Sequence, residues 1–191
     1  MNSMKKFLSL ILALLMTISC FGICSFAEGE NYILFMDAGD VYQVIGCNAY
    51  ATGEINIPST YNDGENGTKP VGSISSNAFK DVSRVSKITV PSSVKSVGAS
   101  AFENCASLGT VIFEGDECTI GTAAFRNCYV LKVVDLPSQL KNIPIEAFAN
   151  CSSLYSLTIP DSVTVIGKEA FRKCSAMRNV TIPANVESIG T

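Results

Sequence analysis

The sequence predicts a repeat solenoid, mainly β, in which short helical or 3₁₀ turns link the strands of coils 23 residues long. Three observations carry this. Ala-Phe recurs as Ala78-Phe79, Ala101-Phe102, Ala124-Phe125, Ala147-Phe148 and Ala170-Phe171, always at that step. Cys105, Cys128, Cys151 and Cys174 keep the same step, with Val82 in the matching slot one unit earlier. Apolar residues alternate within each unit and then meet Pro91, Pro137, Pro160 or Pro183. A fixed period in this range marks one supersecondary unit stacked on copies of itself around a continuous core.

Residues 1–27 read as an export signal. Lys5 and Lys6 precede an apolar run from Phe7 to Ile18, interrupted by Ser9 and Thr17, and Ser25-Phe26-Ala27 supplies a small-x-small cleavage pattern. Cleavage after Ala27 is expected. The run is short for a membrane span of about 20 residues, and no second long run follows, so no membrane insertion is expected after cleavage. Lipid attachment at Cys20 is disfavoured, because Thr17 stands where such sites favour Leu.

Residues 28–54 form a predicted N-terminal β-hairpin cap. Tyr32 to Phe35 and Val41 to Ile45 are β-prone runs, joined by Asp37-Ala38-Gly39-Asp40. A cap of this kind keeps the first coil from showing its apolar face to water. The repeat domain spans 55–191. Its degenerate first repeat, 55–81, is interrupted by Tyr61 to Lys69, a surface loop by composition. Full repeats follow at 82–104, 105–127, 128–150 and 151–173, with a partial one at 174–191. The last has no visible cap, so either the chain continues in a longer protein or that face meets a partner, in the second case by end-to-end association.

Counting the cysteine slot as position one, apolar residues fall at positions four, seven and nine: Val85/Ile88/Val90, Leu108/Val111/Phe113, Leu131/Val134/Leu136, Leu154/Leu157/Ile159 and Met177/Val180/Ile182. The alternation predicts a strand with one buried face, ended by proline, which cannot donate to the ladder. Glu114-Gly115 replaces the proline once, and a kink is expected there. A second apolar pair follows: Val94/Val97, Glu117/Ile120 in the odd repeat, Leu140/Ile143, Val163/Ile166 and Val186/Ile189. Gly98, Gly121, Gly167 and Gly190 then fit a corner that needs either positive φ or close approach, with Pro144 the exception. The column cysteines would lie about 5 Å apart, but their parallel Cβ vectors do not suit disulfides. They read as small buried apolar groups. The sequence leaves Cys47 and Cys118 undetermined.

Composition limits the chemistry. The 191 residues carry a net charge of -3, 47% hydrophobic residues, no histidine and no tryptophan. Without a basic stripe, no nucleic-acid partner is expected. Without histidine there is no Ser-His-Asp triad and no Cys-His pair. Cysteines 23 apart are not a zinc motif, and no phosphate loop precedes a helix. No cofactor or metal is expected. Asp135 and Asp161 are a solvated surface pair rather than an acid/base couple. The sequon Asn66-Gly67-Thr68 is read as chance.

The unit C-x-x-L-x-x-L-x-I-P-x-x-V-x-x-I-G-x-x-A-F-x-x, recurring over 55–191, resembles the BspA-like, Treponema pallidum-type leucine-rich repeat family. The resemblance implies a right-handed leucine-rich-repeat stack in a bacterial secreted or cell-surface protein, and adhesion to host or bacterial proteins. It also implies that the cysteine column stands in for the asparagine ladder of other leucine-rich repeats. It carries over no ligand.

Stacking would gather positions five, six and eight into one outward face: Ser86/Lys87/Thr89, Gly109/Thr110/Ile112, Lys132/Val133/Asp135, Tyr155/Ser156/Thr158 and Arg178/Asn179/Thr181. Solenoids present binding surfaces of this kind. Tyr155 between Lys132 and Arg178 is the expected anchor, an aromatic flanked by cations; the alternative is a solvated face with Thr chosen for β-propensity. Two functions stay open: a protein-interaction module for an extracellular protein, and a spacer or targeting arm of a longer exported enzyme.

Overall fold

The computed structural model describes Ser25–Phe26, residues 33–178 and residues 180–191. The export signal and its cleavage site lie outside the described residues, apart from Ser25–Phe26.

The first described strands are β1 (Ser25–Phe26), β2 (Ile33–Asp37) and β3 (Tyr42–Cys47). β2 and β3 form the antiparallel cap hairpin, with a register shift between Leu34 and Phe35. Next come β4 (Gly53–Asn56), β5 (Thr60–Asn62) and β6 (Thr68–Ile74). Residues 61–69 are more than the surface loop that their composition suggests, because β5 pairs antiparallel with β6. This inserted hairpin is fastened to the cap. Tyr61 stacks on Phe35 at 4.1 Å and meets Tyr42 edge-on at 5.1 Å. Lys69 binds Asp37 at 2.7 Å.

The repeats follow with β7 (Val85–Val90), β8 (Ser96–Val97), β9 (Thr110–Phe113), β10 (Thr119–Ile120) and β11 (Val133–Asp135). β12 (Asn142–Ile143), β13 (Val165–Ile166) and β14 (Ser188–Ile189) complete the chain. One parallel sheet runs β4-β7-β9-β11. A second joins the cap to the stack through β3-β6-β8-β10 and stops there; β12-β13-β14 form a separate sheet. Proline explains the break. The corner amides of Gly98, Gly167 and Gly190 donate to Ile74, Ile143 and Ile166 of the preceding coil. Pro144 occupies the same corner and has no N–H to give to Ile120.

The corner glycines do not need positive φ; they need contact. A Cβ on Gly121 would lie 2.5 Å from the Ala99 nitrogen, and one on Gly167 would lie 2.5 Å from the Ile145 nitrogen. Positive φ falls instead two residues later, at Ser100, Ala123, Glu146 and Glu169, and again at Asp81, Asn104, Asn127, Asn150 and Lys173.

That pattern overturns the expected helical or 3₁₀ turn. Among the described residues the Ala-Phe segments are successive β-turns, with no helix. Left-handed residues every fourth position stop a helix from propagating. Alternate amides turn outward: Ser100, Phe102 and Asn104 donate to Thr122, Ala124 and Arg126 of the next coil, while Ala101, Glu103 and Cys105 close local turns. The turn face is therefore itself an inter-coil ladder. Inside it, Phe79, Phe102, Phe125, Phe148 and Phe171 stack at 5.3, 5.2, 5.3 and 5.7 Å, with ring planes within 13°.

The cysteine column forms without disulfides among the described residues. Each thiol donates to the Phe carbonyl of the preceding coil, as Cys128 does to Phe102 at 3.1 Å and Cys151 to Phe125 at 3.2 Å. The column does not replace an asparagine ladder. One stands beside it: Asn104 donates to Asp81, Asn127 to Asn104 and Asn150 to Asn127, at 2.6–2.7 Å. The odd repeat holds a further correction. Cys118, not Glu117, supplies the buried residue; Glu117 is exposed. Gly115 permits the one-residue shift, because a Cβ there would lie 2.8 Å from Ser92 Cα. In the coil 174–191 Ile182 and Ile189 are exposed rather than buried.

Candidate functional site

Register builds the outward face of the first sheet. β4, β7, β9 and β11 align Glu54, Lys87, Thr110 and Val133 in one column, and Asn56, Thr89, Ile112 and Asp135 in the next. The residues between point inward: Ile55, Ile88, Val111 and Val134 are buried. The period of two along each strand makes this division. Beyond β11 the sheet thins, and in the next coil Ser156 alone keeps a bridge. Ser156 and Thr158 are exposed there, as is Thr181 one coil later; Asn179 lies outside the described residues.

The expected trio is assembled only in part. Lys132, Tyr155 and Arg178 occupy the same slot of consecutive coils, and the Arg178 amide donates to the Tyr155 carbonyl at 3.4 Å. All three are exposed. Among the described residues, however, no cation–π contact joins Tyr155 to either cation; the one present is Lys69 over Tyr42. Lys132 and Arg178 make no ion pair among the described residues, whereas Lys87 is held by Glu54 at 3.1 Å. Glu54 lay outside the repeat frame in sequence, so its pairing with Lys87 was not visible.

The structure exposes a different set of apolar residues in two adjacent coils. Val133 and Tyr155 are 47% and 57% exposed, and Tyr129 and Val130, in the turn leading into β11, are 50% and 39% exposed. The turn is fixed to the following coil, whose Ser153 amide and Ser152 hydroxyl both donate to the Tyr129 carbonyl. The result is an aromatic and aliphatic patch at one edge of a polar sheet face, next to Lys132 and Arg178. Sequence reasoning missed Tyr129 and Val130. Their signal was that three of the other four repeats place small residues there, Ala106-Ser107, Ser152-Ser153 and Ser175-Ala176, and the fourth has Ser83-Arg84.

Elsewhere, charged groups serve the fold. Glu103 is buried, and burial alone would raise its carboxyl; hydrogen bonds from Arg126, Ser100 and Lys80 hold it below the usual glutamate range. Arg126 also binds Glu146 at 2.6 Å. A shallow cleft of about 440 Å³ opens around Gly115, lined by Ser92, Lys95, Glu114, Asp116, Glu117 and Ser138 among others. Its three carboxylates are exposed, and no group of residues with metal-holding geometry occurs among the described residues. No helix among the described residues is long and apolar enough to cross a membrane.

Parallel coils, a Phe spine and an inter-coil asparagine ladder define a leucine-rich repeat solenoid. More narrowly, the chain belongs to the BspA-type leucine-rich repeat family, whose model matches residues 72–191 in 6 copies. It is similar to a leucine-rich cell surface protein from Faecalibacterium prausnitzii, at 26% identity and a TM-score of 0.73, over 91% of this chain and 45% of that one. It is also similar in fold to a leucine-rich repeat protein of T. pallidum, at 24% identity and a TM-score of 0.69, over 87% of this chain and 78% of that one. The chain thus spans less than half the length of the Faecalibacterium protein. No protein of curated function matches it in sequence.

Proposed function

We propose that this chain is an exported protein-interaction module that engages an extracellular protein, a host matrix protein or a bacterial surface protein, through the first sheet's outward face. The observation that carries the reading is the Tyr129–Val130–Val133–Tyr155 group, four exposed apolar side chains that fall within two consecutive coils. Exposed apolar and aromatic groups in neighbouring coils, with unpaired cations beside them, are the make-up of an interface anchor. The surface description of the Faecalibacterium protein supports the placement outside the cell.

The test is a pull-down and titration of the recombinant chain against extracellular matrix proteins and bacterial surface extracts. Tyr155→Ala with Val133→Ser should weaken any interaction by at least about tenfold, roughly 1.4 kcal/mol, with an unchanged melting curve. Undiminished binding by that double variant would remove the site. A spacer or targeting arm is the second reading, supported by the length of the Faecalibacterium protein beyond the matched part. In that case neither the wild type nor the variant retains a partner.

A further inference from the structure

We propose that Asn66–Gly67, at the tip of the inserted hairpin, is a site of spontaneous deamidation that the Asp63 carboxylate holds in check. It is the chain's only Asn-Gly pair. Both residues are exposed. Gly67 has φ +77°, and a Cβ placed on it would meet nothing within 4 Å. With no Cβ, residue 67 puts no side chain of its own in the way of its backbone nitrogen reaching the preceding side chain.

The reaction needs only water. The Gly67 nitrogen attacks Asn66 Cγ, and the new C–N bond closes a succinimide. The Cγ–Nδ2 bond breaks, and the amide nitrogen leaves as ammonia with the proton lost from Gly67. Water then opens the ring at either carbonyl, giving aspartate or isoaspartate.

The folded hairpin opposes the first step. Asp63 Oδ2 accepts from Asn66 Nδ2 at 2.6 Å. Asp63 Oδ1 accepts from the Asn66 amide at 2.7 Å and the Glu65 amide at 2.9 Å. One carboxylate therefore holds both the backbone and the side chain of Asn66. Those same bonds hold the Asp63 carboxyl far below the usual carboxylate range, so the clamp stays charged. Ring closure must swing Cγ onto the Gly67 nitrogen and break a charge-assisted bond, among the stronger kinds. The clamp's charge also disfavours the anion formed as the nitrogen attacks.

The product would matter locally. A carboxylate at 66 would face Asp63 across the line along which the amide now donates, and like charges repel. The same hairpin carries Tyr61 and Lys69, which fasten the stack to the cap.

The test ages the full-length chain at mildly alkaline pH, folded and in urea, and follows the peptide spanning residues 62–69 by mass spectrometry. Asn66 should convert before any other asparagine. The folded rate should be about tenfold below the unfolded rate, equivalent to about 1.4 kcal/mol. Asp63→Ala, checked for folding by circular dichroism, should age at close to the unfolded rate, and Asn66→Gln should silence the signal. Equal rates in the folded and unfolded wild type, an Asp63→Ala variant no faster than wild type, or another asparagine reacting first would each overturn the proposal. If Asp63→Ala does not fold, the wild-type comparison decides.

Discussion

Replacing Phe148 with Ala should destabilise the stack far more than replacing Phe171. Phe148 is 1% exposed and lies between rings 5.3 and 5.7 Å away. Truncating a buried Phe costs about 3–5 kcal/mol through lost transfer energy and the cavity left behind. Aromatic pairs add about 0.5–1.5 kcal/mol each beyond area, and Phe148 loses two. The expected cost is therefore in the upper half of the range, about 4–5 kcal/mol. Phe171 is half-buried and has one ring neighbour, so its truncation should cost about half as much, roughly 2 kcal/mol. Urea unfolding followed by far-UV circular dichroism reads both, the chain having no tryptophan. Near-equal slopes would show that stability and not compactness changed. A second probe, tyrosine fluorescence, checks that the array unfolds in one step. Equal costs for the two variants, or a cost under about 2 kcal/mol for Phe148→Ala, would refute the continuous Phe spine.

Gly121→Ala should destabilise by at least about 1–3 kcal/mol, because the new Cβ meets backbone, which cannot move aside as a side chain can. Gly109→Ala, whose Cβ would find nothing nearer than 3.7 Å, should be close to neutral; thermal midpoints compare the two. Asn127→Ala should lose two ladder hydrogen bonds of about 0.5–1.5 kcal/mol each and add left-handed strain of about 1–2 kcal/mol. Asn127→Gly should lose the bonds without the strain and be the milder variant in chemical denaturation. Alkali should weaken the fold. Burial pushes the Cys118 thiol from 9.0 up to about 11. The folded state keeps a proton that the unfolded chain releases, so this stability is complete below pH 9 and falls as pH rises from there towards 11. The slope is about 1.4 kcal/mol per pH unit for each such thiol. Urea midpoints under reducing conditions should show a shallower decline for Cys118→Ala.

The inward positions were legible because a 23-residue register copies one set of apolar contacts in every coil. Ile88, Val111 and Val134, and the spine from Phe79 to Phe148, are buried where the period puts them. The asparagine ladder was also written in the sequence, as Asn104, Asn127 and Asn150 at the same step. It was hidden because asparagine at a turn already has a local explanation, its tolerance of left-handed φ. Only the stack shows that the side chains also bond to one another. The candidate face was half legible. Its columns follow from strand alternation, but Tyr129 and Val130 precede the strand, where alternation says nothing.

The sequence by itself determined the coil length, the residues that face inward and the places where strands stop, since each is a local choice repeated at a fixed step. Tertiary structure decided where that repetition fails. Pro144 splits a sheet only because a neighbouring carbonyl awaits its missing N–H. Cys118 displaces Glu117 because the Gly115 backbone can close on Ser92. The inserted hairpin becomes a clasp because Tyr61 reaches Phe35, far from it in the chain. Each outcome depends on a partner in another coil or in the cap, and a one-dimensional period does not name that partner.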